Sequence, residues 1–120
     1  MEHIRESEEM YLKTIYLLKQ GHKVVRAINI IKELEYAKSS VSKAMKLLKE
    51  KNLIYTLDNG SIEFTENGFK KAKEVNDKHV LITKMLMDFG LNEKIAKKDA
   101  CKIEHVISPE FFNLIKEKYS

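Results

Sequence analysis

The feature that most narrows the fold is a change of period at residue 53. Before it, apolar residues recur at helical spacing. After it, Leu53-Ile-Tyr-Thr-Leu57 is rich in β-forming residues, Asp58-Asn-Gly60 is a hairpin turn signal, and Ser61-Ile-Glu-Phe-Thr65 alternates polar and apolar. Asn and Gly both tolerate the positive φ that such a turn needs. A single small hairpin set directly behind short amphipathic helices leaves few folds open.

Those helices can be placed from the residues. Ser7 reads as an N-cap, with Glu8 and Glu9 at the positive end of a helix that Gly21 closes. Its stripe is Tyr11, Ile15 and Leu18. A second helix fits Ala27 to Glu35, with Ile28, Ile31 and Leu34 on one face. A third fits Ser40 to Lys51, capped by Ser39, with Val41, Ala44, Met45 and Leu48 inward. Tandem helices, then a hairpin, are the layout of a winged helix-turn-helix, which is a DNA-binding grammar.

Past the hairpin the helical period returns. Thr65 or Glu66 starts a long helix carrying Phe69, Ala72, Val75, His79, Ile82 and Leu86, and Gly90 stops it. Asn92 caps a helix through about His105, and Ser108-Pro109-Glu110 opens a last one with Phe111, Phe112, Leu114, Ile115 and Tyr119. The fold class is therefore mainly α with a small β-hairpin, split within the long helix near Lys70.

Composition excludes several classes. Hydrophobic residues at 43% rule out a mainly disordered chain, and four Gly with one Pro leave little room for a β-sandwich. Twenty-two basic against 18 acidic residues give a net charge of +4, which permits nucleic-acid binding without demanding it. The lone cysteine, Cys101, excludes an internal disulfide framework. No apolar run approaches membrane-spanning length, and the acidic start is no signal peptide, so the expected compartment is the cytoplasm.

The chemistry concentrates in Cys101-Lys-Ile-Glu104-His105. On a helix, positions i, i+3 and i+4 share a face, so thiolate, carboxylate and imidazole point into one space, and all three are good ligands for a first-row divalent metal. The plainer reading is a half-buried Cys, a solvated Glu and a surface His.

The stretch Glu9-Met10-Tyr11-Leu12-Lys13-Thr14-Ile15-Tyr16 resembles the opening helix of the diphtheria toxin repressor family of metal-dependent transcription regulators. Asp99-Ala-Cys-Lys-Ile-Glu-His-Val106 is similar to that family's metal-binding helix. Lys78-His79 and Ser40-Val-Ser-Lys43 also match in place, and the likeness runs through nearly the whole chain. It implies a winged helix-turn-helix DNA-binding domain over residues 1–70 and a helical dimerisation and metal-binding domain over 71–120. It also implies a metal site of Met10, Cys101, Glu104 and His105, the first by its thioether. The core-packing reading of Met10 stands beside that.

Departures mark the limits. The iron-responsive branch builds an ancillary site from a His, a Glu one turn later and a further His. Here His79 keeps its place, but Thr83 and Lys97 stand at the other two positions, and the SH3-like domain of longer members has no counterpart. His79 therefore leans towards a structural or supporting role, and the ancillary site is expected to be absent or rebuilt. His3 and His22 read as solvated. Ile4 and Glu6 are similar in type to family residues in a segment, Met1 to Glu6, that the resemblance implies rearranges on metal binding.

For DNA, the third helix and its approach offer Lys38, Ser39, Ser40, Ser42, Lys43 and Lys46, and Arg26 precedes the second helix. Ser and Lys can contact phosphate, and Lys can reach guanine acceptors. The plainer reading is a solvated helix face. The family position that bears an amide carries Lys43 here, so base preference does not transfer.

The reading that joins these pieces is a metal-activated repressor acting as a homodimer on double-stranded DNA, with two recognition helices about 34 Å apart reading a near-palindrome. Phe111, Phe112 and Ile115 are the expected dimer surface. Because Met10 and Cys101 are sulfur donors where manganese-sensing relatives carry carboxylates, the resemblance points to Fe²⁺ as effector, with Mn²⁺, Ni²⁺, Co²⁺ or Zn²⁺ able to bind in vitro. The rival reading is a winged-helix regulator without metal control. A small metal enzyme using Glu104 as base is a second rival, but nothing supplies a nucleophile, phosphate loop or substrate pocket signature, so the chain is expected not to be an enzyme.

Overall fold

The computed structural model describes residues 2–120, with side chains from Glu8 onward. The order is α1 (Glu2–Gly21), α2 (Ala27–Leu34), α3 (Lys38–Glu50), β1 (Ile54–Thr56), β2 (Ile62–Phe64), α4 (Glu66–Asp88), α5 (Glu93–Ile103) and α6 (Pro109–Tyr119). Two compact units divide at 73/74, inside α4. Among the described residues, no helix is long and apolar enough to cross a membrane.

In the first unit the core gathers Leu12 and Ile15 of α1, Ile30 of α2, Val41, Met45 and Leu48 of α3, and Ile54 and Ile62 of the hairpin. Three helices and a hairpin thus share one apolar centre, the winged helix-turn-helix arrangement. On α2 the buried residue is Ile30, while Ile28, expected inward, is half exposed. The helix is short, and Glu35 ends it in the left-handed region at φ 56°, so its inward face is set by packing more than by a full apolar stripe.

Two expected caps are not caps. Helix α1 already runs from Glu2, which places Ser7 inside it, and no Gly or Pro interrupts 2–7. Helix α3 begins at Lys38, with Ala37 at the cap position and no side-chain hydrogen bond there, so Ser39 lies within its first turn.

The hairpin is antiparallel, with Ile54 opposite Phe64 and Thr56 opposite Ile62. Its turn needs one positive φ, at Gly60 (85°), not at Asn59. The Gly60 N–H donates to Leu57 O and the Leu57 N–H to Ser61 O, a three-residue loop with glycine at the bulge. Asn59 instead turns its side-chain oxygen to the Ser61 N–H. The hairpin is also anchored sideways: the Ile62 N–H donates to Val25 O, and the Lys19 ammonium donates to Ile62 O (2.9 Å) and pairs with Glu63 (3.2 Å).

Thr65 caps α4, its hydroxyl accepting from the Gly68 N–H and donating to Asn52 O. Phe69, placed on the inward stripe by spacing, is half exposed and stacks at an angle with Tyr16 and Phe64. In the second unit Leu81, Ile82, Met85, Ala100, Phe112 and Ile115 form the core. Asn92 and Ser108 cap α5 and α6 by accepting from Ile95 and Phe111 N–H groups. Phe112 and Ile115, expected on the dimer surface, are core residues. Phe111 and Leu114 are the apolar side chains that α6 leaves exposed.

Candidate metal centre

The centre is built inside the second unit. The buried stripe of α4, Val75 and Ile82, fixes the rotation of that helix and so presents His79 from the turn between them. Ala96 and Ala100 do the same for α5, whose regular turns end at Ile103. Glu104 is its C-cap and keeps helical dihedrals, and its N–H still donates to Ala100 O. Cys101 and Glu104 therefore keep the shared face that spacing predicts, whereas His105 falls just past the helix.

Glu104 is 1% exposed. A carboxylate that deep demands partners. Its Oε1 lies 2.8 Å from His79 Nδ1, and its Oε2 lies 3.7 Å from His105 Nε2. Cys101 Sγ is 3.8 Å from the same His79 nitrogen. One ligand atom each from His79, Cys101 and Glu104 can be chosen so that all lie within 4.8 Å of one another. Ligand bonds of about 2.0–2.3 Å let atoms on one ion stand at most about 4.6 Å apart. His79, Cys101 and Glu104 could together hold a divalent cation once their rotamers adjust.

His79, expected in a structural or supporting role, is thus at the middle of the cluster. The signal was its register: 22 residues before Cys101, on a helix whose stripe turns that position inward. His105 stands beside Glu104, its ring almost buried, outside the three-residue cluster. Met10 is a half-buried residue of α1, in the first unit.

The two departures have clear occupations. The Thr83 hydroxyl donates to His79 O at 2.7 Å, spending itself on its own helix. Lys97 pairs with Glu93 across one turn at 3.2 Å. His22 is exposed, while His3, Ile4 and Glu6 lie outside the described side chains.

On the DNA side, Lys38, Ser39, Ser40, Ser42, Lys43 and Lys46 are all exposed. Ser39, Ser42, Lys43 and Lys46 share the face of α3 opposite Val41, Met45 and Leu48. Arg26 is committed in part, since its Nε donates to Asn59 O at 2.7 Å and its stem covers Gly60. That ties the entry to α2 onto the hairpin turn. A cleft of about 270 Å³ separates α3 from the hairpin, with Ser42, Lys46, Lys49 and Thr56 on its polar walls. Lys49 and Thr56 were not singled out from sequence, because only the fold brings strand and helix together.

Two family models match the chain. Residues 3–61 match the model for the iron dependent repressor N-terminal DNA binding domain, and residues 65–120 that for the iron dependent repressor metal binding and dimerisation domain. An uncharacterized HTH-type transcriptional regulator of Methanocaldococcus jannaschii is 34% identical over 113 residues, covering 92% of this chain and 90% of that protein. The diphtheria toxin repressor of Corynebacterium glutamicum is 32% identical over 111 residues, 92% of this chain and 49% of the repressor. The chain spans about half the length of such repressors. The structure of the manganese regulator SloR has the same fold, with a TM-score of 0.83 at 24% identity over 94% of this chain and 54% of that one.

Proposed function

Since the chain belongs to the iron-dependent repressor family, we propose that it is a transcriptional repressor whose grip on DNA is switched on by a divalent transition metal. The observation that carries this is the cluster of His79, Cys101 and buried Glu104, a mixed sulfur, nitrogen and oxygen donor set. In this reading His105 and Met10 complete the ligands. A soft thiolate and a thioether favour Fe²⁺ over Mn²⁺ as the cellular effector. Ni²⁺, Co²⁺ and Zn²⁺ bind at least as well in vitro, because intrinsic affinity rises along the series towards copper.

The protein works as a homodimer in the cytoplasm, with Phe111 and Leu114 contributing to the shared surface. Two α3 helices then read half-sites about 34 Å apart on a near-palindromic operator. Lys43 and Lys46 hold phosphate or guanine edges, and Ser39, Ser40 and Ser42 hold phosphate. Metal raises DNA affinity by its preference for the DNA-competent state, and DNA tightens metal binding by the same factor.

The test is a DNA titration against operator-type duplexes, anaerobic and reducing, with each divalent metal and with none. The proposal requires a metal-dependent gain in affinity, reached at lower free Fe²⁺ than Mn²⁺. Equal binding with and without metal would leave a winged-helix regulator under other control. Activation by Mn²⁺ at the lower free concentration would overturn the iron assignment alone.

A further inference from the structure

The Glu8 carboxylate is almost wholly buried, at 6% exposure, yet its function is not explained by the metal cluster or by the DNA-facing residues. Its partner is the Lys51 ammonium, in an ion pair rather than a directed hydrogen bond. Lys51 is the C-cap of α3: its N–H donates to Leu47 O. Asn52 follows at φ 59°, and the Leu53 N–H donates back to Leu48 O, closing the helix with a Schellman turn. The cation at that end also suits the helix dipole. The last turn of the DNA-reading helix is therefore fastened to the beginning of the described side chains of α1.

The position of Glu8 on α1 gives the fastening a role. Glu8 and Met10 are two residues apart, about 200° around the helix, so they point to opposite sides of it. From Glu8 to Ile15 every residue except Met10 is buried, charged ones included. Nine residues beyond Met10, the Lys19 ammonium grips Ile62 O and Glu63 on the hairpin. Helix α1 thus holds both DNA-facing elements, α3 by Glu8 and the wing by Lys19, while its remaining side at that level carries the thioether.

We propose that Glu8 is a positioning residue that passes the placement of α1 to α3 through Lys51, so that a metal held at Met10 sets the recognition helix. This rests on the metal-activated repressor reading above. The link is ionic and lies within one unit. Its removal should therefore leave the metal cluster intact and cut the coupling between metal and DNA.

The experiment compares DNA affinity in the metal-free and metal-saturated 120-residue chain for wild type, Glu8→Gln, Lys51→Met, Lys51→Arg and the exchanged pair Glu8→Lys with Lys51→Glu. Circular dichroism checks the fold of each. Glu8→Gln and Lys51→Met should each reduce the metal-induced gain by about fivefold or more, the scale of typical coupling, with metal-free affinity unchanged. Lys51→Arg should keep the gain, and the exchanged pair should restore most of it. A folded Glu8→Gln with an undiminished gain overturns the proposal. So does a Lys51→Met that weakens both states equally with a shallower salt slope, which would make Lys51 a phosphate contact. A wild type with no metal-induced gain at all would instead overturn the repressor reading, and this link with it.

Discussion

His79 and Glu104, 25 residues apart in the chain, meet at 2.8 Å between Nδ1 and Oε1, with the Cys101 sulfur 3.8 Å from the same nitrogen. Two helices thereby close a donor set that neither carries alone. Removing the imidazole should weaken the affinity for Co²⁺ or Zn²⁺ by about 10- to 100-fold, the loss seen even when groups that merely support metal ligands are removed. Thr83→Ala and Lys97→Ala should leave it unchanged. Competition with a chelating dye under reducing conditions measures all three. An unaltered affinity in His79→Ala would show that the imidazole only partners Glu104.

If Met10 ligates the metal as proposed, Met10→Ala should lower the metal-loaded DNA affinity by about tenfold while sparing metal-free binding and the fold. Equal losses with and without metal would make Met10 a packing residue. Met10→Asp combined with Cys101→Glu should move the preference towards Mn²⁺ by replacing sulfur with oxygen donors. Anaerobic titration with both ions reads the change.

Lys43 and Lys46 stand exposed on one face of α3. Replacing both with Ala should reduce DNA affinity and flatten its salt dependence by about one log–log unit per lost phosphate contact. Binding measured across a salt series decides it. An unchanged slope would move the DNA surface elsewhere.

Glu63 offers a pH test within the wing. Its desolvation pushes the carboxyl pKa up, but the hydrogen bonds from Ser61 and Lys19 and the Lys19 charge more than offset that, leaving it below the usual carboxylate range. A lowered folded value means stability that is present above the unfolded value and fades as pH falls through the folded one. Urea unfolding of Glu63→Gln should show a small deficit at neutral pH that closes as pH falls through the folded value. A deficit independent of pH would mean that the lost stability comes from packing.

Gly68 is the position of least tolerance. A Cβ there would lie 1.8 Å from Leu53 O, a backbone atom that the Thr65 N–H also holds. Gly68→Ala should cost about 3 kcal/mol or more, at the upper end of overpacking, because the obstacle cannot rotate away. Thermal or urea unfolding measures it, and a loss under about 1 kcal/mol would mean that the start of α4 yields freely.

Local pattern was enough to show the succession of helices, the hairpin at 53–65, the caps at Asn92 and Ser108 and the common face of Cys101 and Glu104. Each depends on spacing within one segment, which a 3.6- or 2-residue period records directly. Where local signal was weak, the chain's packing decided. Ser7 and Ser39 have the chemistry of caps, but α1 and α3 begin before them, at Glu2 and Lys38. Ile28 and Phe69 fit apolar stripes yet stay half exposed, since a stripe only proposes a face and a neighbouring element must cover it. Phe112 went to the core and Phe111 to the surface for the same reason. The pairings of His79 with Glu104, Glu8 with Lys51 and Lys19 with Glu63 join segments 25 or more residues apart. Sequence supplied their charges and donor atoms. Only the tertiary fold supplied the distances, because no local period relates side chains on different elements.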